Sequence, residues 1–539
     1  MKPETFKDLF DNSVASFAEK TAFSMINGDS VTYRQFGDLV AQTRERLLNA
    51  GVTAGDKVAI FSRSTIYWPV AYFTCVTSGI IVVPILPDFT GEEVAKLLKH
   101  SETKALFVSE QLYKSIPQDA IESLNICIST TNLNTIAEKK QNDGQVIPRG
   151  EAVVPNADDL AVIIYTSGTT SSPKGVMLTH KAFMSQLEMY VHFFTIDSSD
   201  VFLSILPLSH TYECSIGMLY PFSSGCHVVY LDRMPTAAAL IPAFKKIRPT
   251  VFICVPLVLD KIYRAKIRAT ITATKIGAAA YKLAPVRKIY HRIAGRKLAE
   301  IFGGNIRFIG IGGAKLNSET DRFLNEGRLP IAIGYGLTET APLLFGATVG
   351  QTRVGTTGTP CHGIEYRIVN EDENGQGELE VKTPSIMLGY YKNPEATRDA
   401  ITEDGWFRTK DICTVAKNGH LSITGRVNNM IVGPSGENIY PEEIENVINT
   451  HELVTESIVL MDKGHLLALV AYDKDKFDKA VKALGNEVGD AIQEIHNEVR
   501  AYVNERVNKF SRISAIEYHP EGFEKTPSQK IKRFLYTKR

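Results

Sequence analysis

The sequence predicts an α/β protein: a large amino-terminal domain of α/β subdomains with a β-rich subdomain, followed by a small mobile α+β domain. Three observations predict it. Apolar runs of strand length alternate with helix-like stretches up to about Gln351; the texture then changes to short β-like pieces between Gly-rich turns; and after Gly425-Arg426 a new set of strands and a long helix begins. At 539 residues the chain is long enough for two or three folded units, each with its own core.

In chain order, strand-like runs fall at 57–61, 105–108, 160–164, 201–205, 227–231, 250–255 and 306–311, with helix-like stretches at 179–194 and 236–247 between them. Val354-Gly-Thr-Thr-Gly-Thr-Pro360 and Glu371-Asp-Glu-Asn-Gly-Gln-Gly377 punctuate the β-like part, 351–425. The final stretch, 426–539, carries strands near 456–461 and 466–472 and a long helix near 490–506, enough for one small domain. The domain boundaries read from these breaks are 1–425 and 426–539. No internal repeat and no low-complexity segment is found.

Formal net charge is zero, so no global field draws the chain toward nucleic acid and any electrostatic attraction must be local. Residues 261–298 are the local exception, rich in Lys and Arg without one Asp or Glu. Two readings stay open: a solvated helical face packed on the body, or a basic amphipathic patch resting on anionic lipid headgroups. Cys75, Cys127, Cys214, Cys226, Cys254, Cys361 and Cys413 are scattered, mostly within apolar runs, and nowhere spaced like zinc ligands, which predicts free thiols. The amino terminus lacks a basic segment followed by an apolar one, and the most apolar stretch, 79–86, is too short to span a bilayer. A reducing cytoplasm, with peripheral membrane contact through 261–298 as an option, is the expected location.

Chemistry concentrates in Tyr165-Thr-Ser-Gly-Thr-Thr-Ser-Ser-Pro-Lys-Gly-Val176, which follows an apolar strand. Gly168 and Gly175 let the backbone approach a polyanion, the hydroxyls and amides of Thr166, Ser167, Thr169 and Thr170 donate to its oxygens, and Lys174 adds a mobile positive charge. It is not a Walker loop, since Pro173 stands where that pattern needs Gly and Gly175 where it needs Ser or Thr. Tyr335-Gly-Leu-Thr-Glu-Thr340 follows the apolar run 331–333 and places an aromatic face, hydroxyls and a carboxylate at a strand end, where open α/β sheets bind ligands. Gly312-Gly-Ala-Lys-Leu316 also ends a strand, and its glycines permit close backbone approach.

These strings, with Gly405-Trp-Phe-Arg-Thr-Lys-Asp411, Gly425-Arg-Val-Asn428, Gly436-Glu-Asn-Ile-Tyr-Pro-Glu-Glu-Ile-Glu445 and Lys525-Thr-Pro-Ser-Gln-Lys530, resemble the motifs of the adenylate-forming superfamily: acyl- and aryl-CoA synthetases, luciferases and peptide-synthetase adenylation domains. The resemblance runs from about Thr32-Tyr33 to Arg533. Leu206-Pro-Leu-Ser-His-Thr-Tyr-Glu213, the basic insertion after Val255-Pro256 and Gln529 in place of the common Gly make the chain most like the long-chain fatty acid–CoA ligases.

The resemblance implies ATP, Mg²⁺ and coenzyme A as co-substrates and cofactor. Tyr335 would stack on adenine between Gly334 and Gly336; Gly313, Ala314 and Lys315 would form a wall of the adenine pocket; Thr338 and Glu339 would lie near the α-phosphate, with Thr166 and Glu339 serving Mg²⁺. Asp411 would grip the ribose hydroxyls and Arg426 the ribose or phosphate. Lys410 replaces the family's usual Gly, which leaves the turn at Asp411 open. Asn428 would be the hinge, and Lys530 the mobile catalytic lysine acting with Lys174, Thr338 and Glu339. His210 would line the acyl pocket, although a lone His is more often structural, and Gly217, Gly310 and Gly312 would open a tunnel for an alkyl chain.

The implied reaction is attack of a fatty acid carboxylate, medium- to long-chain, on the α-phosphate of ATP to give acyl-AMP, then displacement of AMP by the thiol of coenzyme A. One rival delivers the acyl group to an acyl carrier protein. Another is a non-catalytic scaffold, which would be expected to lack one of Lys174, Glu339, Asp411 or Lys530; all four are present.

Overall fold

The computed structural model describes residues 2–139, 148–166, 173–271, 274–433, 438–527 and 530–537. Two large sheets dominate. The eight-stranded one runs Gly389–Tyr390, Lys174–Thr179, Leu160–Thr166, Ile81–Ile85, Lys57–Phe61, Thr103–Val108, Ile126–Ser129, Thr135–Glu138 from edge to edge. Its middle strands are parallel and buried on both faces, which is why they read as unbroken apolar runs. The apolar stretch around Gly79 supplies the strand Ile81–Ile85.

The nine-stranded sheet holds Ile331–Gly336, Phe308–Ile311, Val251–Cys254, Val201–Ser204, His227–Tyr230 and Thr21–Met25 as a parallel block. One core joins the inner faces of both sheets. Helix Tyr67–Val76 is buried along almost its whole length in that core, as its uninterrupted apolar sequence requires, and the fully buried Trp68 alone is worth about 2–3 kcal/mol of apolar transfer. Thr179 caps helix His180–Phe193, its hydroxyl accepting from Ala182 N at 3.1 Å.

Glu365–Val369, Gly377–Lys382, Phe407–Val415 and Leu421–Arg426 form a four-stranded antiparallel sheet, the β-rich texture expected after Gln351. Beyond Arg426, strands Val454–Asp462, His465–Tyr472 and Ala515–Tyr518 pack with helices Pro441–Ile448, Lys474–Leu484 and Val488–Asn504 around a separate core. All seven cysteines are free thiols and all but Cys361 are buried. No helix among the described residues is long and apolar enough to cross a membrane.

Candidate functional site

The site forms where carboxyl ends of parallel strands face the β-rich sheet and the last segment of the chain. Thr166 ends strand Leu160–Thr166 and pairs with Lys174, the first residue of strand Lys174–Thr179. The chain therefore goes from one strand to its antiparallel neighbour, whereas a Walker loop leads into a helix. Ser167, Gly168, Thr169 and Thr170 lie outside the described residues. Gly175 departs from the expectation of close anion approach: it sits inside the strand, where an added β-carbon would lie 3.0 Å from Ile163 and 3.2 Å from the Tyr165 ring. Its small size serves packing between strands.

Lys174 and Glu339 meet through Tyr390, which the sequence reading missed. The Lys174 ammonium stands 5.0 Å from the Tyr390 ring centroid, and the Tyr390 hydroxyl donates to Glu339 Oε1 at 2.9 Å. Thr338 and Glu339 belong to a 3-10 turn, Thr338–Thr340, held from below by Gln186. The buried Gln186 amide donates to the carbonyls of Thr340 (3.0 Å) and Leu343 (2.9 Å) and to Ser385, and accepts from Leu343 N. A buried amide with every hydrogen bond made fixes its surroundings strongly. Neither residue has a sequence signal: Gln186 is one polar residue in an amphipathic helix, and Gly389-Tyr-Tyr391 reads as an ordinary turn.

Tyr335 is the penultimate residue of strand Ile331–Gly336. Gly336 must be glycine, because a β-carbon there would lie 1.7 Å from the Pro342 carbonyl oxygen across the returning chain. Gly334 faces Leu343. The Tyr335 hydroxyl donates to Asp411 Oδ2 at 2.6 Å, while Arg426 Nε donates to Asp411 Oδ1 at 2.9 Å. Asp411 and Arg426 are directly paired residues of adjacent strands. The nearly buried carboxylate thus spends one lone pair per oxygen and keeps one on each for other hydroxyls. Burial, then Asp411, holds the Tyr335 phenol neutral; Asp411 in turn raises Arg426. Lys410 takes φ +58°, the left-handed conformation that Gly would adopt without cost, so the turn survives the replacement. Its ammonium pairs with Asp399.

Lys530 arrives from the far end of the chain. It retains exposed surface yet is crowded by protein, and desolvation followed by repulsion from Arg426 lowers its pKa, opposed by Asp411 and Glu339. His210, in the turn after strand Val201–Ser204, faces the same lysine; burial first and Lys530 second hold its pKa at about 4, so it is neutral. Thr166, Lys174, His210, Tyr335, Thr338, Glu339, Asp411, Arg426 and Lys530 therefore lie around one cleft, brought there from six separate stretches of sequence.

Two further expectations change. Lys315 does not present its ammonium as a free pocket wall: Nζ donates to the Ile423 carbonyl at 2.9 Å and faces Glu443 and Glu442, tying the Gly313-Ala314 strand end to its neighbours. Gly310 and Gly312 both lie against Tyr212 and Gly217 lies against Glu213, so side chains fill the space these glycines leave. A β-carbon at Gly217 would lie 2.5 Å from Glu213 Oε1, at Gly310 3.1 Å from the Tyr212 hydroxyl, and at Gly312 3.2 Å from the Tyr212 ring. Any alkyl tunnel there needs Tyr212 to move. Glu213 opens the π-helix Glu213–Leu219, is fully buried, and accepts from Ser204 Oγ at 2.6 Å. Its Oε2 finds no hydrogen-bond partner among the described residues, and burial pushes its pKa up to about 8.

The donor set fits a nucleoside triphosphate: cations from Lys174, Arg426 and Lys530 face one cleft, with Thr166 and Glu339 as oxygen donors. Among the described residues no cluster of three or more His, Cys, Asp or Glu is placed to hold a metal. A divalent cation held here would take most of its oxygens from phosphate and water, as Mg²⁺ does.

The model of the AMP-binding enzyme family matches residues 10–391. Long-chain-fatty-acid–CoA ligase FadD15 of Mycobacterium bovis is 30% identical over 533 residues, covering 90% of this chain and 87% of its own. Long-chain-fatty-acid–[acyl-carrier-protein] ligase AEE15, chloroplastic, of Arabidopsis thaliana is 25% identical, covering 98% and 84%. Among solved structures, the o-succinylbenzoate coenzyme A synthetase MenE of Bacillus subtilis in complex with AMP superposes with TM-score 0.77 at 20% identity, covering 99% of this chain and 98% of its own. ATP-bound MatB of Rhodopseudomonas palustris gives 0.78 at 21% identity, with 98% of both chains covered. The fold is theirs, and with the match over residues 10–391 this chain belongs to the AMP-binding enzyme family.

Proposed function

We propose that this protein is an AMP-forming acid–thiol ligase that activates a medium- to long-chain fatty acid with ATP and passes the acyl group to coenzyme A. The observation that carries the reading is Lys530: a residue from the end of the chain stands in one cleft with Glu339, Asp411 and Arg426 and against His210. A free carboxylate is a poor electrophile toward a thiol, so the acid must first gain a leaving group, and the α-phosphate of ATP supplies it. Lys530 and Lys174 neutralise the carboxylate and phosphate oxygens as they approach, Thr338 donates a hydrogen bond at the phosphate end, Glu339 with Thr166 would hold Mg²⁺ there, and Asp411 with Arg426 holds the ribose. When bound, Mg²⁺ neutralises phosphate charge. Catalysis is then mainly positioning and charge compensation.

Substrate preference follows from Glu213. A buried acid kept neutral up to about pH 8 offers no anionic anchor for a substrate amine, so an apolar acid suits the pocket better than an amino acid. For the second step we propose that 1–425 and 426–539 act as two bodies pivoting at Asn428, in the 3-10 turn Val427–Asn429, which withdraws Lys530 and admits the thiol. The relative AEE15, named for an acyl-carrier-protein acceptor, favours a carrier protein as the second reading. Free thiols throughout fit a reducing cytoplasm.

The test separates the half-reactions. Acid-dependent pyrophosphate exchange over C2 to C20 acids should peak at medium to long chains, and thiol consumption should identify the acceptor. Lys530→Ala should lose acyl-AMP formation by roughly a hundred-fold or more while still converting supplied acyl-AMP to thioester. Equal loss in both steps would remove Lys530 from the adenylating geometry.

A further inference from the structure

Between Asp260 and Glu300 the chain has no acidic residue, and the structure divides its cations into two sets. The inner set is spent on protein. Arg264 donates to the Val454 carbonyl at 3.1 Å and to that of Asn449, Arg268 pairs with Glu319 at 2.6 Å, and Arg287 pairs with Glu326 at 2.9 Å. The outer set, Lys282, Lys288, Arg292, Arg296 and Lys297, is exposed and forms no ion pair among the described residues.

Helix Ala284–Ile301 shows why the outer set faces solvent. His291, Gly295 and Leu298 are its buried stripe, and Gly295 lies so close to Gly327 that a β-carbon would sit 2.4 Å from that carbonyl oxygen. His291 Nδ1 stands 2.8 Å from Glu326, and Tyr281 joins His291 (2.6 Å) to Tyr263 (2.8 Å). The helix is thus seated firmly on the body by one face. On the opposite face Ile289 is 59% exposed and Ile293, one turn on, 50%; Leu283, just before the helix, is 60% exposed. Lys288, Arg292 and Arg296 run along one side of this apolar ridge and Lys297 lies on the other.

We propose that this outward face is a docking surface for an anionic lipid bilayer. Apolar side chains at successive turns facing water, flanked by unpaired cations, are the pattern of a helix lying in the headgroup plane, where the ridge enters the acyl boundary and the cations meet phosphate. A second copy of the chain fits poorly, because a two-fold contact would set like charges against each other. With zero net charge overall, the attraction is confined to this face and gives one docking orientation. The excursion leaves the sheet at Val255, which packs against Gly313, and helix Ala284–Ile301 lies against Glu326 and Gly327, ahead of strand Ile331–Gly336.

The test uses the full chain and no catalysis: sedimentation with vesicles of phosphatidylcholine alone and of phosphatidylcholine mixed with phosphatidylglycerol, over a range of salt. Binding is expected only to the anionic vesicles, weakening steeply as salt rises. The triple substitution Lys288→Gln, Arg292→Gln, Arg296→Gln should lower the partition coefficient roughly a hundred-fold, near five-fold per cation, and Ile289→Ser with Ile293→Ser roughly ten-fold or more. Melting temperatures should not move. The matched control Lys474→Gln, Lys479→Gln, Lys482→Gln, on an exposed helix elsewhere, should bind as the wild type does. Equal partition onto neutral and anionic vesicles, no binding at low salt, or equal loss in the control would overturn the proposal. So would a dimer in sedimentation equilibrium that Ile293→Ser dissolves, since the face would then belong to a second copy.

Discussion

Glu213 shows what one misplaced charge would cost. Its folded pKa of about 8 lies above the ordinary 4.5, so the folded protein holds a proton that the unfolded chain releases. The sign follows: the contribution to stability is fully present below about pH 4.5, declines as pH rises, and is gone once pH passes about 8. Glu213→Gln cannot titrate and should flatten that decline, its relative advantage growing between pH 5 and 8 toward an upper bound of about 5 kcal/mol. The slope is the quantity to measure, by urea unfolding at several pH values, because the amide's unpaired N–H groups add a penalty of about 1–3 kcal/mol that does not change with pH. Identical slopes in the two proteins would mean that Glu213 is charged in the fold. Asp321, raised by burial to about 6, titrates in the same window in both proteins and cancels in the comparison.

At the scale of elements, the turn before Asp411 is a bulge whose geometry one residue decides. Glu378 pairs with Ile412 and Glu380 with Arg408, so Leu379 alone opposes Thr409, Lys410 and Asp411. The Thr409 hydroxyl donates to Leu379 O at 2.8 Å and accepts from Asp411 N at 3.1 Å, which points the carboxylate toward Tyr335 and Arg426. Lys410 pays about 1 kcal/mol for its left-handed backbone and recovers only a few tenths from its exposed pair with Asp399. Lys410→Gly should therefore be slightly more stable, by about 0.5 kcal/mol, and Lys410→Val less stable by about 1–2 kcal/mol. Denaturant midpoints read the order Gly, Lys, Val; Val equal to Lys would mean that the turn relaxes elsewhere.

For the whole molecule, the arrangement that brings Lys530 into the cleft is held from the side by Arg264 and Arg268, within and at the end of the π-helix Tyr263–Arg268. Both donate to carbonyls just beyond the carboxyl end of helix Pro441–Ile448: Arg264 to Asn449, Arg268 to Thr450 at 3.4 Å. Cations there also meet the negative end of the helix dipole. Hydrogen bonds from a charged group contribute about 1.5–3 kcal/mol each, enough to bias two arrangements ten- to a hundred-fold. Arg264→Ala should thus lower acid-dependent pyrophosphate exchange roughly ten-fold and leave thioester formation from supplied acyl-AMP unchanged or faster. A matching fall in both steps, with a lower melting temperature, would make Arg264 an ordinary structural contact.

The division between sequence and structure follows the range of the interactions. Strands such as Lys57–Phe61, helix starts such as Thr179, and the glycine-, hydroxyl- and acid-bearing strings at strand ends were legible because burial on both faces, capping and turn chemistry are local and leave fixed residue patterns. The convergence of Thr166, Glu339, Asp411 and Lys530 was legible only through resemblance, since nothing local links them. Tertiary structure alone decided the rest: that Tyr390 and Gln186 brace Glu339, that Tyr212 and Glu213 fill the space beside Gly217, Gly310 and Gly312, that Lys315 is tied to Ile423, and which cations of the 261–298 run face protein and which face water. A hydrogen bond or a packed ring between residues distant in sequence selects on geometry, and geometry of that kind leaves no spacing to read.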